Sequence, residues 1–399
     1  MVELLTIEEA QRLILERAQP LRPERVPLEL AAGRVLAEAA LAAVDLPPFP
    51  SSAMDGFAVR AADTPGTLPV VFRIAAGRPA PRALAPGEAM GIATGGVVPD
   101  GADAVIPFEY VVEHDNKVEI ERALQSGANV RPRGGDLCAG AEVVAVGVRL
   151  GPAQLGALAA AGVSEVVCGA VPRAAVLATG TELRRPGEPL GPGEVYEANG
   201  PLLAAQLSSA GASVERLAAV ADDEDAHRGA LARGLERDIL VTSGGVSVGP
   251  HDLVRRVESE LGVEEVFWRV AVKPGKPVSF GVRGRTLVFG LPGNPVSSLV
   301  GFELFVRPAV LALQGEADPL PRFEPGRLGS ATKQNAKRDQ LLRAQTRAAS
   351  DGALELEPLA GQESHMIARA AGADALVLVP RGDGELAAGS PVRYLRLGS

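Results

Sequence analysis

The densest run of groups able to do chemistry lies between Asp238 and Asp252, DILVTSGGVSVGPHD. Ile239-Leu240-Val241-Thr242 is β-branched and apolar without helical spacing, so it reads as a short buried strand. Ser243-Gly244-Gly245-Val246-Ser247-Val248-Gly249 follows. Its three glycines open backbone angles that turn main-chain N–H groups toward an anion, and Ser243 and Ser247 add hydroxyl donors. Beyond it, Leu253, Val257 and Leu261 recur at helical spacing up to a stop at Gly262. Strand, glycine-rich loop and helix N-terminus together form a corner suited to phosphate. Asp252 at its far edge either caps the helix or holds a metal. The run lacks the glycine spacing of a dinucleotide fingerprint and the Gly-Lys-Ser/Thr of a P-loop, so a plain strand-to-helix turn stays open as the alternative.

The elements around this corner alternate. From residue 172 to about 315, strand Arg173–Ala178, a helix from Asn199 to Ala210, strand Ser213–Val220, a helix from Glu224 to Leu235 and the strand at 239 follow one another. Such alternation predicts a mostly parallel sheet with helices on both faces, whose ligands bind at the carboxyl ends of the strands. Thr179, Glu182, Asp222, Asp223, Ser243, Ser247 and Asp252 all gather there. Several carboxylates beside a phosphate loop suit a hydrated Mg²⁺ bridging carboxylate and phosphate oxygens. Two more loops share the edge. Lys273-Pro274-Gly275-Lys276-Pro277 stiffens a turn with two ammonium groups able to face one anion, a solvated basic turn being the alternative. Gly290-Leu291-Pro292-Gly293-Asn294-Pro295-Val296-Ser297-Ser298 leads into a helix whose Pro295 suits the first helical position. That helix is apolar all round and is expected to be buried.

The flanking chain has other textures. Thr6 to Glu9 is a capping box opening a helix with Ile7, Ala10, Leu13 and Ile14 on one face. A second helix-like stretch runs from Glu29 to Ala40. Residues 46–139 are β-rich, with short apolar runs and three polar knots at 51–59, 93–103 and 131–136. Asp55-Gly56 and Gly95-Gly96 read equally well as turns, and Arg131 and Arg133 beside Asp136 as an oxyanion fork or an exposed charged loop. Gly151-Pro152 opens another helix, closed by Gly162. If this segment rejoins the N-terminal helices, residues 46–139 are an insertion. Past residue 318, strands are predicted at Leu341–Thr346, Leu354–Leu356, Ala375–Val379 and Val392–Leu397.

The chain has 399 residues, which leaves room for several domains. It is 46% hydrophobic but only 4% aromatic, so its cores rest on Ala, Val and Leu. A net charge of −9 without a Lys/Arg run argues against nucleic-acid binding. No basic-then-apolar leader and no uninterrupted apolar span point to secretion or a membrane. Cys138 and Cys168 lack metal spacing and are expected reduced in a cytoplasmic protein, and the four histidines are expected at the surface.

Seven stretches in one order carry a resemblance: PPFPSSAMDGFAV at 47–59, ATGGVVPDGADAVIPFE at 93–109, VRPRGGD at 130–136, ATGTEL at 178–183, TSGGVSVGPHD at 242–252, KPGKP at 273–277 and GLPGNPVSS at 290–298. Together they resemble the molybdopterin molybdenumtransferase family, the MoeA proteins and the gephyrin E domain. The resemblance implies a multidomain α/β fold. Its parts are an N-terminal, largely helical linker and dimerisation domain in two pieces (1–45 and 140–171), an inserted β-rich domain (46–139), a three-layer α/β/α domain with a mostly parallel sheet (172–317) and a small C-terminal β-barrel (318–399). It implies a homodimer with the active site between subunits. The reaction implied is insertion of molybdate into adenylylated molybdopterin, with Mg²⁺-dependent release of AMP.

By the same resemblance the catalytic groups are Asp55, Asp136, Glu182, Asp252, Lys273 and Lys276. Metal ligation falls to Glu182, Asp222, Asp223 and Asp252. Thr179, Gly180, Ser243, Gly244, Gly245, Ser247 and Gly249 hold the pterin or its phosphate, with Pro292, Asn294 and Pro295 beside them. Ser297, Arg343 and Ser364 lie at the molybdate, and Thr94 and Arg131 face a partner subunit's nucleotide loop along with Asp55 and Asp136. The chain departs from the family in having Thr181 where an acid often stands and Leu253 where an aromatic is frequent. The competing classes are a nucleotide or pyrophosphate hydrolase of the competence-damage type, which lacks the inserted unit, and a scaffold without catalysis.

Overall fold

The structure is a computed structural model that describes residues 4–75, 77–219, 224–245, 253–349 and 351–398. Two compact units emerge. Met1–Glu24, Gly33–Ala37 and Cys168–Ser399 form the first, and Arg25–Ala32 with Glu38–Val167 the second.

The first unit is built on a six-stranded sheet. Its strands lie in the order Ser213–Arg216, Arg173–Ala178, Ile239–Ser243, Thr286–Leu291, Ser279–Arg283 and Glu264–Trp268. The first four run parallel, as the alternation requires. The last two are antiparallel additions that the sequence reading did not separate. The central strand Ile239–Ser243 is buried along its whole length, as expected of a parallel strand covered on both faces. Helices Asn199–Ser209, Glu224–Gly234 and Leu253–Glu260 supply the layers.

The helix that starts at Pro295 continues to Leu313, with a π-helical turn over Phe302–Val306. By length and composition it could cross a membrane, yet 78% of it is buried inside the structure. Its Phe302, Leu304, Phe305 and Val306 are core residues. Pro308 has no N–H for the Leu304 carbonyl four residues back. Gln11 Nε2 donates to that carbonyl at 2.9 Å, within a buried environment. Gln11 belongs to the N-terminal helix Ile7–Leu15, whose capping box at Thr6 and Glu9 is present.

That helix corrects the expected grouping of residues 1–45 with 140–171. Its Ile7, Ala10 and Ile14 pack into the core of the sheet unit, and Leu5 forms a parallel bridge to Val270. The helical reading of Glu29 to Ala40 is also corrected. Leu28–Leu30 is a single 3₁₀ turn and Ala40–Leu41 a short strand, with Gly33 between them at φ +73°. A left-handed glycine terminates a helix rather than continuing it.

Within the first unit the C-terminal strands close into a five-stranded barrel. Asp339–Ala348 pairs with Leu354–Pro358, then Glu324–Leu328, Pro391–Arg396 and Ala375–Val379 follow, and the last pairs back to Asp339–Ala348. Leu328, Leu342, Leu356, Val377 and Tyr394 fill it. Closure removes the sheet edges that a short, exposed set of strands would otherwise leave unpaired.

The second unit holds a six-stranded sheet in the order Ala104–Pro107, Gly56–Val59, Ala89–Ile92, Gly66–Ile74, Lys117–Ile120 and Val112–His114, with one parallel pairing. Helix Pro152–Ala160 follows it, with Pro152 at the first turn and Gly162 at φ +77° after its end. Cys138 is exposed and Cys168 buried, and neither is in a disulfide. His227 corrects the surface expectation for the histidines, being fully buried in its helix.

Candidate active site

Three loops meet at the carboxyl edge of the parallel strands. Thr179 N donates to Ser243 O at 2.9 Å, joining the first loop to the second. Gly244 N donates to Leu291 O at 3.1 Å, joining the second to the third. Gly244 sits at φ +94°, and a Cβ there would stand 2.6 Å from Thr179 O. Glycine is required at this position by the neighbouring loop as much as by the turn itself. The following Gly245 makes room for Val254, whose Cγ2 would lie 2.4 Å from an added Cβ.

One residue ties the junction together, and the sequence reading did not single it out. Asn199, at the start of its helix and 8% exposed, donates from Nδ2 to Ser243 Oγ at 2.6 Å and to Gly293 O at 2.7 Å. Ser243 Oγ in turn donates to Pro292 O at 3.3 Å. Ser298 Oγ donates to the same carbonyl at 2.5 Å. The expectation that Ser243 offers a free hydroxyl donor is therefore corrected: that hydroxyl has two protein partners, and the Gly244 N–H is also taken. Asn199 carried no sequence signal because an Asn near a helix start ordinarily reads as a cap.

The remaining residues of the edge fall into place around this junction. Glu182 is exposed, and its carboxylate lies back over Gly180, with Oε2 2.5 Å from where a Cβ on Gly180 would stand. Asn294 is the N-cap residue of its helix but makes no side-chain cap bond; its Nδ2 donates to Ser364 Oγ at 2.8 Å, and Val296 N donates to Ser364 O at 3.1 Å. Pro295 is the first residue of the helix and Ser297 is buried one turn in. The lysine turn lies against it, since an added Cβ on Gly275 would be 3.5 Å from Ser297 O. Val272-Lys273 also pairs with Asp339-Gln340 of the barrel, so the turn is held from two sides. Lys273 and Lys276 are exposed. Asp222, Asp223, Ser247, Gly249 and Asp252 lie outside the described residues.

Arg343 takes a different place from the one expected. It is 1% exposed, and its guanidinium donates to the carbonyls of Met366 and Gly361 at 2.6 Å and of Glu363 at 3.3 Å. Burial pulls its pKa down from the usual arginine value. Its charge is spent on holding the loop 359–366, which carries Ser364 to Asn294. Arg343 thus positions Ser364 and does not itself offer its charge to an anion.

The second unit has a corner of its own. The expected turn at Asp55-Gly56 is instead the entry to strand Gly56–Val59, which enters so close to its neighbour that a Cβ on Gly56 would be 1.9 Å from Ile106 O. Asp55 Oδ1 accepts the Thr94 N–H at 2.7 Å. Ser52 exchanges backbone bonds with Gly95 and Gly96 at 2.9 and 3.0 Å. Val130-Arg131 pairs antiparallel with Ser51-Ser52. The three polar knots are therefore one place. Arg133 is occupied by Asp45 at 2.5 Å, whereas Arg131 is exposed. Asp136 is exposed on a loop fixed by its own N–H to Leu46 O at 2.9 Å. Among the described residues there is no group of three or more His, Cys, Asp or Glu side chains able to hold a metal.

A parallel sheet whose carboxyl edge carries three interlocked loops, with a closed barrel in the same unit and a second, β-rich unit, defines a multidomain α/β protein. Comparison with known proteins makes this specific. Residues 5–162 match the MoeA N-terminal region (domain I and II), 175–312 a probable molybdopterin binding domain and 325–397 the MoeA C-terminal region (domain IV). The chain is 37% identical to molybdopterin molybdenumtransferase 2 of Mycobacterium tuberculosis, over 97% of this chain and 98% of the relative. It is 32% identical to the molybdopterin molybdenumtransferase of Haemophilus influenzae, over 98% of both. A crystal structure of a molybdopterin biosynthesis MoeA protein from Pyrococcus horikoshii superposes at TM-score 0.82 with 31% identity, covering 100% of both chains. A second crystal structure of a MoeA protein from that organism gives TM-score 0.85 at 26% identity, over 99% of this chain and 100% of that one. The chain belongs to the molybdopterin molybdenumtransferase family, enzymes of molybdenum cofactor biosynthesis.

Proposed function

We propose that this protein inserts molybdenum from molybdate into adenylylated molybdopterin and releases AMP. The observation that carries the reading is the junction of the Thr179, Ser243 and Gly293 loops at one sheet edge, with the Lys273–Lys276 turn against Ser297 beside it. Breaking the phosphoanhydride between molybdopterin and AMP builds negative charge on phosphate oxygens, and held cations stabilise that charge as it forms. Lys273 and Lys276 are exposed on a turn that lies against Ser297 at Gly275 and pairs with the barrel at Lys273, so they suit the oxyanion end. A bound Mg²⁺ would supply charge neutralisation at the phosphates. Glu182 fits it as an exposed hard oxygen donor, and Asp222, Asp223 and Asp252 are its proposed companions. Thr179, Gly180, Gly245, Pro292, Asn294 and Pro295 are the proposed ligand side, Ser247 and Gly249 are proposed to act with them, and Arg343 holds the loop that carries Ser364.

Asp55, Thr94, Arg131 and Asp136 belong, in this reading, to a homodimer in which the inserted domain of one subunit completes the nucleotide site of the other. The proposed domains are the linker domain (1–45 and 140–171, less the N-terminal helix, which packs with the sheet), the inserted domain (46–139), the α/β domain (172–317) and the barrel (318–399). A cytoplasmic location goes with the reading.

The test is AMP release from adenylylated molybdopterin and Mg²⁺, with and without molybdate. Release that depends on molybdate and yields a metal-loaded pterin is expected. Equal release without molybdate would make the protein a hydrolase, and binding without turnover would make it a carrier or scaffold.

A further inference from the structure

The chain passes from strand Glu264–Trp268 toward the turn of Lys273 and Lys276 through Arg269, a residue in an unusual backbone state. Among the described residues, four that are not glycine have φ in the left-handed region. Asp115, Asn116 and Asn129 are of the types that tolerate it, because a short polar side chain bonds locally to the backbone. Arg269, at φ +82°, is not of that type. Such a conformation persists where the surrounding contacts enforce it. We propose that Arg269 is a positioning residue for the lysine turn: its guanidinium, stacked on the Trp268 ring, holds the backbone bend that fixes the turn on which Lys273 and Lys276 stand.

The Arg269 guanidinium carbon lies 3.7 Å from the centroid of the Trp268 ring, within reach of a cation–π interaction. Neighbouring residues of a strand point to opposite faces, so an arginine does not ordinarily meet the ring of the residue before it. The positive φ breaks that alternation and brings the two side chains together. The ring is itself held. Arg255, from helix Leu253–Glu260, lies over it at 4.2 Å and is paired with Glu265 at 2.5 Å. Among the described residues Arg269 forms no ion pair, and the ring is the partner of its charge.

The bend sets the base of the turn. The Arg269 N–H donates to Val278 O at 2.8 Å, and the Val270 N–H donates to Lys276 O at 3.1 Å. The two ends of the turn are thus tied together at the bent residue and the one after it. Beyond the bend, Val270 forms its bridge to Leu5, the Ala271 N–H donates to Leu5 O at 2.8 Å, and Val272-Lys273 pairs with Asp339-Gln340. Val270, Ala271, Val272 and Val278 are buried, while both lysines are exposed. The inference rests on the functional reading above, in which the two ammonium groups take the oxyanion. Cations stabilise developing charge best when they are already in place before it forms. An arginine that fixes the turn therefore acts on the oxyanion without touching it.

The experiment compares the full-length wild type with Arg269→Gly, Trp268→Leu and the double variant. Glycine accepts a positive φ, so Arg269→Gly removes the stack without straining the backbone, and a circular-dichroism melt reports whether each variant keeps its fold. In molybdate-dependent AMP release, Arg269→Gly is expected to raise the KM for molybdate about tenfold, while the KM for adenylylated molybdopterin stays within about twofold. Trp268→Leu should do the same, and the double variant should be no worse than either single one, because both remove one contact. Hydrogen exchange of the Val270 and Ala271 amides should be faster in each variant. An Arg269→Gly protein with the wild-type molybdate KM and wild-type exchange would overturn the inference, since backbone shape alone would then suffice. So would a parallel rise in both KM values, or single effects that multiply in the double variant. A wild type whose AMP release ignores molybdate would remove the functional reading only. Exchange in Arg269→Gly would then decide the role of the stack, faster exchange upholding it and unchanged exchange overturning it.

Discussion

The Ser243 corner of the first unit and the Asp55 corner of the second are made of similar material, glycine-rich turns at strand ends, yet they are held by different means. At Ser243 a buried side chain does the bracing. Asn199 reaches from a helix to a serine hydroxyl and a loop carbonyl, and that hydroxyl in turn donates to Pro292 O. At Asp55 the bracing is backbone. Ser52 exchanges main-chain bonds with Gly95 and Gly96, Arg131 pairs with Ser51, and the side-chain bonds are local ones, between the Thr94 N–H and the exposed Asp55 and between Ser52 Oγ and Met54. A corner braced by buried side chains fails when a polar group is removed, because what remains is a buried unsatisfied partner. A corner braced by backbone tolerates side-chain change and fails only when the backbone cannot approach. Asp55, to which the proposed function gives the chemistry of the second corner, can therefore be changed at little cost to the fold.

Several substitutions put that contrast under strain. The largest effect is expected from Gly56→Ala, whose Cβ would collide with the Ile106 carbonyl at 1.9 Å. It should cost more than about 3 kcal/mol, in the range of backbone-clash mutants, and limited proteolysis should then cut within residues 46–139 while the barrel survives. Asn199→Leu keeps the volume but leaves Gly293 O without its donor and Ser243 Oγ with Pro292 O alone. A loss of about 2–3 kcal/mol is expected in urea unfolding of the first unit, together with loss of AMP release. Asp55→Asn keeps an acceptor for the Thr94 N–H, so stability should stay within about 0.5 kcal/mol of wild type while turnover falls at least about tenfold. A parallel fall in both would place Asp55 among the structural braces. The smallest effect is a pH response. The Ala139 N–H, followed by Arg133, holds the Asp45 carboxyl below its ordinary value of 3.8. A depressed folded pKa gives stability that is present above the unfolded value and lost as pH falls through the folded one. Pepsin cleavage of the loop carrying Asp136 should therefore rise only below pH 3.8, and Asp45→Ala should show it at higher pH.

Much of this architecture was legible in the sequence, and the failures have physical causes. The parallel strands at 173, 239 and 286 announced themselves by apolar runs ending in Thr-Gly, Ser-Gly and Pro-Gly, because a buried strand needs continuous apolar residues and its ligand end needs special turns. The antiparallel strands Glu264–Trp268 and Ser279–Arg283 were not legible, since their burial is partial and their pairing is set by tertiary context. Asp55-Gly56 read as a turn because glycine's role there is a close approach of two strands, which spacing alone does not encode. The N-terminal helix was correctly read as a helix, but its address was not. Gln11 gave no sign that it would serve a carbonyl vacated by Pro308, almost three hundred residues away in the chain. Arg343 is expected at the molybdate from the resemblance alone, because it sits where the family places a molybdate-contacting group. That its guanidinium would instead be buried under loop 359–366 depends on a loop whose sequence carries no strong turn pattern.

The most direct test of the proposed division of labour between the two corners uses two inactive proteins. Asp55→Ala lacks the second unit's acid and Lys276→Ala lacks the first unit's cation, and each alone should release no AMP. If one subunit's Asp55 corner serves the other's Lys276 edge, a refolded equimolar mixture contains hybrid dimers with one intact site, and symmetry then predicts recovery of about one quarter of wild-type activity. No recovery, from a mixture shown by mass spectrometry to contain the hybrid, would contradict the account.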